Sequence, residues 1–383
     1  MVIALPVPLM AHTPSGDLLY FDHNATHPLS PAARQAWLEA TELYPGNPSS
    51  PHRLGERAER ALNEAREKLA AWLGCRADQI VWTSGATESV NTALAHLGLS
   101  GEGDALVSAV EHPCVLAAAR QHFGRRHRFI PVNAQGIVEL DSIAEHLGSD
   151  RVACVAVMAA NNETGVLQPW REVAELCRAR SVPFLCDAAQ WVGRMPLAGL
   201  GACDFVTGCA HKFGGPPGVG FLKHPGNLRP LIVGGPQEDG RRAGTENVPG
   251  VLAMIAALAD VVGKLPASDE PRRMFEASLQ SALPVRILGD QAPRLWNTSS
   301  AIMPEQRDCR QRWVVKLDKL GFAVSTGSAC ASGKEEPSHV LRAMGCPPGE
   351  AGRALRFSAG WATTPADWQS LLEGLLRAAG ELI

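Results

Sequence analysis

The stretch TGCAHKFGGPPGVGF, residues 207–221, decides how the chain is read. It closes an apolar run, CDFVTGC (203–209), with a histidine and a lysine, then enters a turn rich in glycine and proline. A lysine is most often exposed, so Lys212 is either a surface side chain on a turn or an amine held inside a site to form an imine with a carbonyl compound. The neighbouring runs bear on the choice. QIVWTSG (79–85), DALVSAV (104–110), RVACVAVM (151–158) and VPFLCDA (182–188) are also short and apolar, and each ends in small or polar residues. Among them lie helical spacings such as LGERAERALNEAREKLAAWLG (54–74), which stops at Gly74. Alternation of this kind from about residue 54 to 260 predicts an α/β fold with a mostly parallel sheet covered by helices on both faces. Ligands of such sheets bind beyond the carboxyl ends of the strands. That rule selects SGATES (84–89), EHPCV (111–115), NNETG (161–165), DAAQ (187–190) and AHK (210–212).

The chain of 383 residues is long enough for two domains and an enclosed site. Its composition, 45% hydrophobic and 20% charged, is that of a folded protein. A formal net charge of −3 without basic clusters argues against nucleic acid as a partner. Arg125, Arg126 and Arg128 read as a solvated helix end. The opening MVIALPVPLM lacks a basic leader and carries two prolines, so neither a signal peptide nor a membrane span is expected. Ten cysteines show no C-x-x-C pair and no zinc spacing, which predicts a reducing, cytoplasmic setting and no metal. After RAGTEN (242–247) a long alanine-rich helix is expected over 249–264. The run VKLDKLGFAV (315–324) reads as strand-like, followed by a loop of small residues and a helix beginning near Pro337. The expected division is a large domain over 28–258 and a smaller α+β domain from 1–27 and 259–383.

Asp187 follows a buried-looking run, where an ionised carboxylate needs a cation or a local cap. It suits a helix cap, and it equally suits a partner for a pyridinium nitrogen, as pyridoxal phosphate chemistry requires. His112 is an ordinary loop histidine or a flat ring stacked on a pyridine, able to exchange protons with a substrate. SGATES ends a strand and opens a helix, so the backbone at Ala86 with the Thr87 hydroxyl offers a phosphate site.

Taken together, SGATES, EH, NNETG, DAAQ, AHK, RAGTEN, GSAC (327–330) and RFS (356–358), with YFDHNATHPLSP (20–31) and GNPSSPHRLG (46–55), resemble the cysteine desulfurase family. This is the class V branch of fold-type I pyridoxal 5'-phosphate enzymes, and the likeness is greatest to its nitrogen-fixation and iron–sulfur-assembly group. The resemblance implies that Lys212 carries the cofactor imine, Asp187 pairs with the ring nitrogen, His112 stacks on the ring and Gln190 bonds the phenolic oxygen. It implies that Ala86, Thr87 and His211 hold the phosphate, joined by Thr245 from the partner subunit of a homodimer. Asn162 would contact cofactor and substrate, and Arg356 would grip the substrate carboxylate with its fork of donors. Cys330, in STGSACASGKE (325–335), would be the nucleophile that takes sulfur from L-cysteine as a persulfide, leaves L-alanine, and passes the sulfur to an acceptor such as an iron–sulfur scaffold protein.

Some positions depart from that family's pattern. Cys209 stands where a serine usually meets the phosphate, Pro217 where a lysine is usual, Trp361 where a basic or small residue is common, and His23 and His27 are unusual in the N-terminal motif. Two other readings remain open on these grounds. One is a selenocysteine lyase or other C–S lyase on the same fold; the other is a sulfur-relay or scaffold partner that has lost catalysis.

Overall fold

The computed structural model describes residues 18–100, 102–149, 151–265, 268–305, 309–327 and 338–382. In chain order, β1 (Leu19–Tyr20) leads to α1 (Pro31–Leu43) and α2 (Arg53–Leu73). There follow β2 (Ile80–Thr83), α3 (Ala86–Ser100), β3 (Asp104–Ser108), α4 (Pro113–Phe123), β4 (His127–Ile130) and α5 (Leu140–Ser149). The alternation continues through β5 (Val152–Ala156), α6 (Trp170–Ala179), β6 (Phe184–Asp187), β7 (Phe205–Cys209), β8 (Gly220–Lys223) and α7 (Val248–Val262). The last third holds α8 (Glu270–Ala282), β9 (Arg286–Ile287), β10 (Thr298–Ile302), α9 (Cys309–Lys319), β11 (Phe322–Ala323), α10 (His339–Ala343), α11 (Pro348–Ala351), β12 (Ala354–Ser358) and α12 (Pro365–Leu382).

Seven strands form the main sheet in the order β2-β8-β7-β6-β5-β3-β4, and only β8 runs against the rest. The period-two rule explains why its strands read as nearly continuous apolar runs. Trp82, Leu106, Val155, Cys186, Val206 and Phe221 point to one face, where they meet α2, α6 and α7. Their neighbours Val81, Ala105, Val107, Cys154, Leu185, Phe205 and Leu222 point to the other, against α3 and α4. Each covering helix supplies residues at helical spacing, such as Leu62, Ala65, Leu69 and Leu73 of α2. Gly74 ends α2 at φ +76° and returns its N–H to Ala70, the left-handed cap that glycine adopts without strain.

A separate core joins Phe21 to α8, α9, α12 and the antiparallel sheet β12-β10-β9. The N-terminal segment is stitched into this body, since β1 pairs with β11 and Asp22 bridges Ser358. Two sequence expectations need correction. The first part of VKLDKLGFAV is the end of α9, because Trp313 and Leu317, one turn apart, bury the same face; only Phe322–Ala323 is strand. The arginine spot is divided, with Arg126 donating to the carbonyls of Gly103 and Gly98 while Arg128 lies in β4 paired with Asp104. The expected helices at 249–264 and near Pro337 are Val248–Val262 and His339–Ala343, the latter capped by the Ser338 hydroxyl.

Candidate active site

A cavity of about 760 Å³ opens beyond the carboxyl ends of β2, β3, β5, β6 and β7. Close backbone packing shapes its floor: a Cβ on Gly220 would stand 2.6 Å from Gly85 Cα, so glycine lets β8 press the 84–87 turn into place. That turn opens α3, and Ala86 and Thr87 line the cavity at the helix's positive end.

Lys212 follows β7 and is largely buried. Its Nζ donates to the carbonyls of Asn24 and Ala25, each at 2.7 Å. Burial, with the charges of Arg194 and Arg356 adding to it, pushes the amine down to about 8. Asp187, 5% exposed, ends β6. Its Oδ1 accepts the Ala189 N–H at 3.0 Å and the Thr207 hydroxyl at 3.1 Å, so both bonds fall on one oxygen and leave Oδ2 out of them, and the residue lines the cavity. The contact with Thr207 is a product of register, because Asp187 and Thr207 are paired residues of adjacent parallel strands.

His112 caps α4. Its Nδ1 lies 3.2 Å from the Cys114 N–H and 3.0 Å from the Cys114 thiol, so Nδ1 is an acceptor and the ring proton belongs on Nε2. Burial holds this imidazole below its usual pKa and therefore neutral at pH 7. His211 is pushed down to about 4, chiefly by burial, and its Nδ1 is 3.3 Å from the Thr26 hydroxyl. Gln190 donates Nε2 to the Asn24 carbonyl at 3.0 Å, and its buried Oε1 has no partner among the described residues. Asn162 lines the cavity and accepts Arg356 Nη1 on its carbonyl at 2.8 Å.

The structure thus brings Ala86, Thr87, His112, Asn162, Asp187, Gln190, His211, Lys212 and Arg356 to one cavity wall. Thr245 is exposed and is not part of the cavity formed by its own chain. Cys330 lies outside the described residues. Of the departures, Cys209 is buried against the Ala86 N–H, and burial pushes its thiol up to about 11; Pro217 lines the cavity. Trp361 leans on His27 with ring centres 4.4 Å apart, and His27 on His23 at 4.6 Å, so these three unusual residues pack on one another.

Several participants escaped the sequence reading. The Asn24 carbonyl serves both Lys212 and Gln190, while its side chain bonds Thr298 and Asn297. His339, at the start of α10, lines the cavity with Nε2 on the Glu111 carbonyl at 2.8 Å. Glu111 is buried and accepts the Met158 N–H at 2.6 Å; burial, and then the charge of Asp187, raise its carboxyl well above the usual range. Glu111 lies within EHPCV and His339 within the helix expected near Pro337, and neither was singled out in the sequence.

Residues 19–371 match the aminotransferase class-V family, and the chain belongs to it. Within that family the chain is similar to a cysteine desulfurase of Cereibacter sphaeroides, 41% identical over 369 residues that span 93% of this chain and 94% of the relative. It is also similar to a cysteine desulfurase of Enterobacter agglomerans, 40% identical over 355 residues, 89% of this chain and 87% of the relative. Among solved structures a NifS-like protein superposes with a TM-score of 0.87 at 29% identity, covering 95% of this chain and all of that one. The fold is that of fold-type I enzymes, which use pyridoxal 5'-phosphate. The residues present fit this group. An open carboxylate oxygen suits a ring N–H, an unpartnered Gln190 Oε1 suits a hydroxyl, a depressed lysine suits an aldehyde, and a helix N-terminus suits a phosphate. Among the described residues no group of three or more His, Cys, Asp or Glu could hold a metal ion, and no helix is long and apolar enough to cross a membrane.

Proposed function

We propose that the chain is a pyridoxal phosphate-dependent cysteine desulfurase, which converts L-cysteine to L-alanine and passes the sulfur through an enzyme persulfide to an acceptor. The observation that carries this reading is the meeting of Asp187 and Lys212, at the ends of two paired strands, with Arg356 from the last third of the chain around one cavity. The bound cofactor supplies an electron sink that weakens the bond between Cβ and sulfur of the substrate.

The chain's own groups do the rest. Lys212, with its amine near 8, keeps a neutral fraction for covalent capture of the cofactor and for proton transfer at the substrate. Asp187, steadied through Oδ1 by Thr207, would hold the ring N–H on its other oxygen. Neutral His112, which lines the cavity with its proton on Nε2, would hold the cofactor ring. Arg356 takes the substrate carboxylate, and the Cys330 thiolate attacks the substrate sulfur: the S–S bond forms, the C–S bond breaks, and the carbon keeps the electron pair and takes up a proton.

We further infer a homodimer. Leu231, Ile232 and Val233 are exposed, Val233 at 77%, on the segment that the Ala243 N–H ties to the Ile232 carbonyl, close in sequence to Thr245. A second copy covering these side chains removes them from water and carries Thr245 to the other subunit's phosphate site. A cytoplasmic, reducing setting is in keeping with the eight free cysteines among the described side chains. The division into 28–258 and 1–27 with 259–383 is supported by Phe21 packing with α8 and α12, although Val340, Leu341 and Met344 of the later segment join the larger core. The acceptor is read as a protein thiol, such as that of an iron–sulfur scaffold.

The test is alanine formation from L-cysteine with a reductant present, run beside Lys212→Ala and Cys330→Ala. Alanine from the parent and from neither variant supports the reading. Alanine from Cys330→Ala at the parent rate would rule out the persulfide route, and an active Lys212→Ala would remove the lysine from its assigned role.

A further inference from the structure

Arg356 is 1% exposed, and its five N–H donors can be followed one by one. Nη1 gives its two to the carbonyls of Asn162 at 2.8 Å and Gly327 at 3.1 Å. Nη2 gives one to Asp22 Oδ1 at 2.6 Å. Nε finds no acceptor among the described residues. Two donors are left, Nε–H and one N–H of Nη2, which is the number that the two oxygens of a carboxylate take up in a bidentate pair.

Asp22 reaches the guanidinium because its backbone lies in register with β12: Asp22 bridges Ser358, the Ser358 N–H bonds the Phe21 carbonyl, and the His23 N–H bonds the Ser358 carbonyl. Arg356 and Ser358 share one face of that strand. Arg356 is among the residues lining the cavity and Asp22 is not.

We propose that Asp22 is the positioning residue of the carboxylate clamp: it turns Arg356 so that Nε and Nη2 are offered together, and its own charge keeps the clamp's affinity low enough for product to leave. The second carboxylate on a shared guanidinium meets the first, and like charges a few ångströms apart oppose one another. This rests on the reading of Arg356 as the group that takes the substrate carboxylate.

The probe is 3-mercaptopropionate, which has the carboxylate and thiol of the substrate but no amine, titrated calorimetrically into the cofactor-loaded protein. Asp22→Asn keeps an acceptor for Nη2 and removes the charge, so binding should tighten by about tenfold, the effect of one unit of charge coupling. Asp22→Ala removes charge and acceptor together and should bind several-fold more weakly than Asp22→Asn. Arg356→Gln should lose the probe. A second readout, on cofactor-free protein, is the titration of the Lys212 amine, which burial lowers most, with Arg194 and Arg356 pushing the same way and Cys209 and Asp22 opposing them; in Asp22→Asn it should move to lower pH, which a merely structural role would not produce. Parent-like or weaker binding by Asp22→Asn, or equal binding by Asp22→Asn and Asp22→Ala, overturns the proposal while loss in Arg356→Gln leaves the clamp standing. Parent-like binding by Arg356→Gln overturns the clamp itself.

Discussion

The depressed amine of Lys212 makes a quantitative demand on how the protein takes up its cofactor. At pH 7 an amine titrating at about 8 is neutral in about one molecule in ten, against about three in ten thousand for a lysine at 10.5. Only the neutral form attacks an aldehyde. Capture of pyridoxal phosphate by cofactor-free protein should therefore accelerate about fivefold from pH 7 to 8 and less than about twofold from pH 8 to 9, then level off. An unperturbed lysine would continue to gain about tenfold per unit to beyond pH 9. The assay is a stopped-flow absorbance series across pH 6.5–10, corrected with a free alkylamine of known pKa so that ionisation of the cofactor itself is removed, with Lys212→Arg as the inactive control. A rate still climbing about tenfold per unit between pH 8.5 and 9.5 would refute the argument from burial.

Thr207→Val should weaken cofactor binding by about tenfold, since a hydrogen bond to a charged group contributes about 1.5–3 kcal/mol, and Thr207→Ser should restore most of it; a spectroscopic titration decides. Glu276 pairs with Arg272 and with both Nη groups of Arg294, all three nearly buried, so Glu276→Ala leaves the Arg294 guanidinium uncompensated and Arg272 with Asp269 alone. A loss of about 3–5 kcal/mol in urea unfolding is expected, and a change below about 1 kcal/mol would contradict it. Leu317→Ala, which opens the small core beside Trp313, should cost about 2–5 kcal/mol in the same measurement while leaving the pH midpoint of Lys212 in place.

The sequence disclosed the sheet because its strands are buried on both faces, so that runs such as RVACVAVM stand out without alternation. Lys212 and Asp187 were visible because each is a charged group set against an apolar run, and Arg356 only through the resemblance of RFS to the family's pattern. Other participants carried no such mark. The service of Asn24 to Lys212 is rendered by a backbone carbonyl, which every residue has. The bond from Thr207 to Asp187 exists only in the register of β6 with β7, and register is a property of the pair of strands. The helical end of VKLDKLGFAV was misread because a short apolar run near a glycine fits either period until its packing partners are known.

The Asn24 carbonyl also bears on how the N-terminal motif tolerates change. Lys212 and Gln190 both depend on where that oxygen lies, and the oxygen lies there because residues 21–23 are threaded along β12. Replacing a side chain leaves the oxygen in place, whereas inserting or deleting one residue between Asp22 and Ala25 moves it by the length of a peptide unit. In this stretch spelling matters less than spacing, and a frame slip of one position would silence the amine more surely than a substitution at Asn24.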